Sequence, residues 1–408
     1  MPQKTILIIG AAQEHCLGIK AAHDLGLKVF VTDGNPNSPG FAEAEDFAVA
    51  STYDPEMSLK VARVYIARGG RIDGVMTLAA DIPYTVAYVA EGLGLPHIGI
   101  GSAFNASEKV RMKKCFQQKG LPIPLFQEVT DETSLDEVAD KFDMPLVVKP
   151  VDSRGGRGVQ LIGDKSQLSK AYEIARGYSP AGRVMAEEYL PGPQLSTEGF
   201  MLDGKAYIPA IFDRNYEHLE RFAPFIVENG GEMPSLYTKE YRGEVTAVME
   251  AAALSLGIRE GVVKGDLVIH EGKIKVIEIA ARLSGGFFGT VATTVSCGVD
   301  LVKMNILFCL GDRLVPEVLE HRCERAAAIR FGFPGPGRVK RVTGFDQILQ
   351  DPVCRYAHLF VKEEDLLQPI TNHPGRPAVV VAEGADLEEA VRHAKRLIHM
   401  LQWEIEDD

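Results

Sequence analysis

"KGDLVIHEGKIKVIEIAARLSGG" (residues 264–286) reads as a β-hairpin with one acidic residue on each arm. Both arms are rich in Val and Ile, and Glu271-Gly272-Lys273 supplies the turn, with Gly at a left-handed position. A three-residue turn sets Asp266 directly opposite Glu278, Val268 opposite Val276 and His270 opposite Ile274. A two-residue turn would instead send Asp266 and Glu278 to opposite faces. Paired positions lie about 5 Å apart across a ladder. Two carboxylates at that distance repel unless one is protonated or a cation lies between them. Mg²⁺ bound through carboxylates and nucleotide phosphates resolves such a clash. Arg282 shares the parity of Glu278 and is expected on the same face.

A metal-nucleotide needs a phosphate cradle, and "LVVKPVDSRGGRGVQLI" (146–162) is the candidate. Its glycines free backbone N–H groups for anionic oxygens, and Arg154 and Arg157 add charge. Lys149 ends the incoming strand, within reach of a phosphate as a point charge. The loop is not a Walker A motif, because Gly158 is followed by Val159-Gln160-Leu161-Ile162, another strand, where that motif enters a helix. A strand–loop–strand flap lies over phosphates in protein kinases, but this chain has no H-R-D-x-x-x-x-N and no D-F-G. Taken alone, the loop fits a plain hairpin turn with surface arginines equally well.

The order along the chain is a lysine in a helix, a strand ending in lysine, a glycine flap, an acidic-acidic-aromatic-aliphatic stretch and an acidic hairpin. This order resembles the ATP-grasp enzymes over nearly the whole chain. The resemblance implies adenine held between two α+β subdomains and phosphorylation of a carboxylate by Mg-ATP. By position, Lys109 and Lys149 resemble the phosphate-binding lysines, and Ser153 to Gly158, including Gly155 and Gly156, resemble the flap. "AEEYLPGPQ" (186–194) resembles the adenine hinge, with Glu187 taking the amino group, Glu188 and Tyr189 offering backbone groups, and Leu190 packing on the base. Asp266 and Glu278 resemble the ligands of Mg²⁺, or of Mn²⁺ in its place. Two departures stand out: Gln194 replaces a ribose-binding Glu, and Ala280 replaces an Asn that ligates the metal.

The run Glu278-x-Ala280-Ala281-Arg282-x-x-Gly285 is similar to the L-amino-acid ligase branch, in which the Arg stabilises an acyl phosphate. "FIVENGGEMPS" (225–235) is similar to a substrate segment of that branch, with Glu228 the expected ammonium binder and Gly286 leaving a roomier acyl pocket. The biotin-carboxylase run V-E-H-P-V-T-E is absent after Arg282, and so are the runs of the purine-pathway ligases. The resemblance implies a carboxylate–amine ligase working through an acyl phosphate, with Lys149, Arg157 and Arg282 neutralising developing charge. Its partners are small carboxylates and amines, and the superfamily often forms homodimers. The alternatives are carboxyphosphate or phosphoribosylamine-type ligation, or a nucleotide-binding regulator without chemistry.

Composition is consistent with this. The chain has 408 residues, a net charge of −12, 46% hydrophobic and 25% charged residues, so it reads as a globular protein with no basic footprint for nucleic acid. Six scattered cysteines form no CxxC and no zinc-site spacing, which fits a reducing cytoplasm. No apolar run reaches the roughly 18 residues of a membrane span.

Three domains are expected in a chain of α/β class. Residues 1–104 alternate strands and helices as a Rossmann-like unit, yet the turn Gly10-Ala11-Ala12-Gln13-Glu14-His15 lacks the second glycine that pyrophosphate needs. Residues 105–320 form the ATP-grasp domain and 321–408 an α+β cap. Ser107 is the expected cap of the helix over 108–119, and Asp386 with Glu389 a capping box on the last helix. Lys113 and Lys114 read as solvated, the histidines at 15, 23, 97 and 218 as structural or surface, and Met304 and Phe308 as core. Trp403, placed in the last helix, reads as packing.

Overall fold

The computed structural model describes residues 3–322 and 325–406. Four strands, β1 (Thr5–Ile9), β2 (Lys28–Asp33), β3 (Asp46–Val49) and β4 (Gly74–Met76), form a parallel sheet in the order β3-β2-β1-β4. Parallel strands need crossovers, and helices Gln13–Asp24 and Pro55–Ala67 supply two of them. The order reverses between β1 and β4, so a crevice opens at their C-terminal ends. Glu14 and Asp81 sit there.

A second sheet is antiparallel: β5 (Phe126–Val129), β6 (Leu146–Pro150), β7 (Gln160–Ile162) and β8 (Val184–Glu188), in the order β5-β8-β6-β7. Helices Glu132–Phe142 and Leu168–Gly177 cover its apolar face. The glycine flap joins β6 to β7, so the expected strand–loop–strand is present.

The third sheet is the largest. It holds β9 (Gln194–Leu202), β10 (Lys205–Asn215), β11 (Gly230–Met233), β12 (Gly261–His270), β13 (Lys273–Ala280) and β14 (Ala326–Gly332). Beyond them come β15 (Gly337–Thr343), β16 (Cys354–Leu359), β17 (Leu366–Leu367), β18 (Ala378–Gly384) and β19 (Gln402–Glu406). The sheet order is β13-β12-β9-β10-β11-β14-β18-β16. Strands from beyond residue 320 therefore extend the same sheet, while β17-β15-β19 form a small one of their own. Helix Leu387–His399 packs its apolar side on β14 and β18.

The acidic hairpin differs from expectation in an instructive way. Its turn has two residues, Glu271 and Gly272, both left-handed at φ 52° and 72°, the type I′ geometry that matches strand twist. His270 pairs with Lys273, Ile269 with Ile274, Val268 with Lys275 and Leu267 with Val276. The expected pairs Val268–Val276 and His270–Ile274 do not form. A bulge then leaves Ile277 over, and Asp266 pairs with Glu278 as anticipated.

Smaller corrections follow local chemistry. Ser107 ends the preceding helix, Ile100–Ser107, and Glu108 caps the next, accepting from Arg111 N at 2.8 Å. Asp386 accepts from Glu389 N at 2.8 Å, but Glu389 turns its carboxylate to Ala385 N, so no reciprocal box closes. Trp403 lies on β19 rather than in the last helix, though it does pack on that helix's core. Met304 joins the main core, with Phe308 packed against it. Among the described residues the five cysteines are free and no single helix is long and apolar enough to cross a membrane; Cys323 lies outside those residues.

Candidate active site

One cleft of about 640 Å³ lies between the three sheets. The flap, the hinge strand β8, the hairpin β12–β13 and the end of β1 all contribute to it. Every site residue expected from the sequence lines it except Gly158. Gly158 is left-handed at φ 72°, and a Cβ there would sit 3.0 Å from both Pro150 and Tyr178. It shapes the flap's hinge rather than a ligand contact.

One wall of the cleft is built on β6 and β8. Lys149 leaves β6 buried and ion-pairs with Glu187 on β8. The other oxygen of Glu187 ion-pairs with Lys113. Lys113 is not solvated: it is fully buried, while Lys114 is exposed as expected. Burial pulls the Lys113 ammonium down to about 8, with Glu187 resisting. Burial works against the Glu187 charge, but Lys113 and then Lys149 outweigh it and hold the carboxyl below its ordinary range. Lys109 donates to the Ser153 carbonyl at 2.8 Å, tying its helix to the flap's root. Arg157 turns back on the Arg154 carbonyl (3.1 Å), and Arg154 stacks on Tyr53 of the first sheet's domain at 4.6 Å. Leu190 is buried on the cleft wall. The N–H of Glu188 is already given to Leu125 O (2.9 Å), so it cannot also serve a base.

The hairpin forms the opposite wall. Asp266 accepts from Arg214 Nη1 at 3.0 Å and ion-pairs with Lys264, two residues earlier on the same face of β12. Burial opposes its ionisation, yet Lys264 and then Arg214 hold the carboxyl well below the usual range. Arg282 lies 3.7 Å from Asp81 of the first sheet's domain. Burial disfavours the Arg282 charge, but Asp81 and then Glu278 more than restore it. Among the described residues no three or more His, Cys, Asp or Glu side chains are placed together to hold a metal ion. Ala280 pairs with Lys264 and brings only a methyl.

Glu228 does not stand ready for an ammonium. Arg214 Nε takes one oxygen at 2.5 Å and Arg376 Nη1 reaches the other at 3.4 Å. It anchors two guanidiniums instead. Glu14 accepts from Gly286 N (3.0 Å), Phe287 N (3.0 Å) and Thr290 Oγ1 (2.8 Å), fastening the segment over 286–290 to the first domain.

Sequence reasoning missed Lys113, Lys264, Arg214, Glu14, Asp81, His373 and Arg376. Lys264 was readable from strand parity with Asp266, and Glu14 from its place after β1 at the switch point.

Three family models match the chain. One described as ATP-grasp N-terminal domain matches residues 19–97, one described as ATP-grasp domain matches 106–286, and one described as L-amino acid ligase C-terminal domain 2 matches 330–406. Two of the three are ATP-grasp models, together matching most of the chain. The chain belongs to the ATP-grasp superfamily. The ATP-grasp fold here superposes on the L-amino acid ligase of Bacillus licheniformis with a TM-score of 0.84, over 99% of each chain at 24% identity. It superposes on phosphoribosylglycinamide synthetase from Anaerococcus prevotii with a TM-score of 0.76, over 99% of this chain and 100% of that one at 16% identity. In sequence it is 34% identical to the D-alanine–D-alanine ligase of Neisseria meningitidis over 132 residues, 31% of this chain and 43% of that relative. The match thus spans less than half of the relative's length.

Proposed function

We propose that this ATP-grasp protein is a carboxylate–amine ligase that makes an amide or peptide bond through an acyl phosphate. The observation that carries the reading is Asp266 set opposite Glu278 across one cleft from Lys149 and the glycine flap, with Arg282 on the same wall. Small carboxylic acids and amines are the substrates. A carboxylate oxygen attacks the γ-phosphorus of ATP, the bond to the β-phosphate bridging oxygen breaks, and ADP leaves. The amine nitrogen then attacks the acyl carbon, loses a proton, and expels phosphate.

Lys109 and Lys149 hold the phosphates as point charges. Arg157, on the flap, and Arg282, on the hairpin, neutralise charge that develops on the transferring phosphoryl and on the acyl phosphate. The hinge from Glu187 to Leu190, with Gln194, holds adenosine. The flap excludes water from the acyl phosphate. Asp266 and Glu278 would hold Mg²⁺. Two carboxylates suit that ion, which keeps several water and phosphate ligands and rarely fills an all-protein cage. When bound it would lower the cost of the phosphates' negative charge.

The test is ADP release over a panel of acids and amines. Release that needs one acid and one amine, with amide formed, is the expected result. Bicarbonate-dependent release without an amine would point to carboxyphosphate chemistry, and stimulation by no pair to a regulatory nucleotide binder. Turnover that survives Asp266→Asn combined with Glu278→Gln would overturn the reading.

A further inference from the structure

After β17 the chain returns to the cleft as a short strap, Asn372–Arg376. Asn372 accepts from Gly375 N at 3.2 Å and so caps the strap's single turn. Arg376, at its end, is more than nine-tenths buried. Its Nε donates to the His373 carbonyl (2.8 Å), and its Nη1 donates to the Glu228 carbonyl (3.0 Å) as well as reaching the carboxylate. The guanidinium lies 3.4 Å over the Phe331 ring. The strap is thus fixed from below to the wall of the cleft.

Its upper side carries the flap. His373 N donates to Gly155 O at 3.0 Å. A Cβ on Gly155 would meet Pro374 at 3.1 Å, and one on Gly156 would meet His373 Nε2 at 3.4 Å. The flap therefore lies flat on the strap, at a distance that side chains would widen. His373 Nε2 is buried and has no hydrogen-bond partner. Burial first, and the Arg376 cation second, push the ring down to about 3, so it is neutral and carries no ion pair. Packing under Gly156, not polar bonding, holds the ring in place.

We propose that His373 and Arg376 are positioning residues for the glycine flap. The strap is the seat on which the flap closes, and its hold sets how much acyl phosphate is lost to water. In that loss, water oxygen attacks the acyl carbon, the bond to the phosphate oxygen breaks, and free acid and phosphate result with no amide. The second half of this inference rests on the ligase reading; the first half does not.

The experiment uses the full chain. In hydrogen–deuterium exchange, His373→Ala and Arg376→Gln are expected to speed exchange of flap amides 155–159 by about tenfold or more, while β1–β4 exchange as in the parent. Arg376→Lys, which keeps a cation over Phe331, should fall between the parent and Arg376→Gln. Flap exchange equal to the parent in all variants would overturn the seat, and loss of protection in β1–β4 as well would overturn it in favour of a general folding role. With an active acid–amine pair, amide formed per ADP is expected to drop several-fold in His373→Ala and to be partly restored by Arg376→Lys relative to Arg376→Gln. An unchanged ratio in every variant would overturn the link to water exclusion. If no pair stimulates the parent chain, the ligase reading falls while the exchange result still decides the seat.

Discussion

Asp266 stands opposite Glu278 because Ile277 is bulged out of the ladder between them and the turn. The two-residue turn alone would have set Asp266 against Ile277. The bulge brings both carboxylates to one position on the cleft wall, where they repel unless a cation intervenes. Lys264 and Arg214 already pair with Asp266, and Glu278 helps hold the Arg282 charge, so Glu278→Gln should cost the metal-free chain about 1 kcal/mol. The same change should raise the Mg²⁺ needed for half-maximal ADP formation by about tenfold or more, equivalent to ~1.4 kcal/mol. Urea denaturation without metal and a Mg²⁺ titration of turnover measure the two effects. A destabilised variant with parental Mg²⁺ demand would show that Glu278 serves the fold and not the metal.

Lys113 offers a pH test. Its ammonium titrates near 8 in the folded chain against an ordinary 10.5. Between those values the unfolded chain binds a proton that the folded chain has released, so this group makes stability rise with pH there. Lys113→Met removes that slope. The parent should gain on the variant as the pH goes from about 8 to about 10, as read from urea midpoints. Removing one partner of a buried ion pair should also cost about 3 kcal/mol at neutral pH. A constant difference across the pH range would mean that Lys113 stays charged throughout.

Lys113 also shows where the residues could be read and where they could not. Strands such as β1, β6 and β12 announce themselves as β-branched runs, and Lys149 was legible because it ends one of them just before the glycines. Lys113 lies four residues after Lys109 and shares its helix face. Once Lys109 was assigned to the cleft, that face was the buried one, so the solvated reading of Lys113 overlooked available information. Only the Asp266–Glu278 pair came out right, through a turn of the wrong length, while Val268–Val276 and His270–Ile274 did not form, because a bulge leaves no mark in hydrophobic alternation. Arg376 was beyond reach, since it meets Glu228 from 148 residues away and only the continuation of the large sheet into β14, β18 and β16 brings it there. Glu228 was taken for an ammonium binder because nothing local in 225–235 announces the two arginines that occupy it.

Glu198 sits fully buried on β9, where its Oε2 accepts from Ser284 N at 3.1 Å. Its Oε1 has no partner. Burial pushes this carboxyl up to about 7, with the Ser284 bonds pulling the other way. Between 4.5 and that value the folded chain keeps a proton that the unfolded chain has lost, so stability falls as the pH rises through the window. Glutamine cannot ionise and still offers Ser284 an acceptor. Glu198→Gln should therefore gain on the parent between about pH 5 and about pH 8 in urea midpoints. Parallel profiles for the two proteins would rule out titration of Glu198 in that range.

Glu14 joins the first domain to the cleft segment over 286–290. It takes three hydrogen bonds from the loop over 286–290, two from backbone N–H groups and one from Thr290. Burial raises its pKa, although Thr290 and the two backbone donors oppose the shift. A glutamine in its place has one acceptor oxygen, and its amide would turn donors toward donors. Leaving such groups unpaired costs about 1–3 kcal/mol, which sets the expected loss of stability for Glu14→Gln. The functional effect should be one-sided. The loop carries Gly286, proposed for the acid, whereas the hinge proposed for adenine is held by Lys113, Lys149 and Leu125 and not by Glu14. KM for the carboxylate substrate should rise more than KM for ATP, and steady-state kinetics varying each substrate in turn separates the two. Equal increases would mean that the first domain braces the whole cleft, and an increase confined to ATP would place the loop on the nucleotide side.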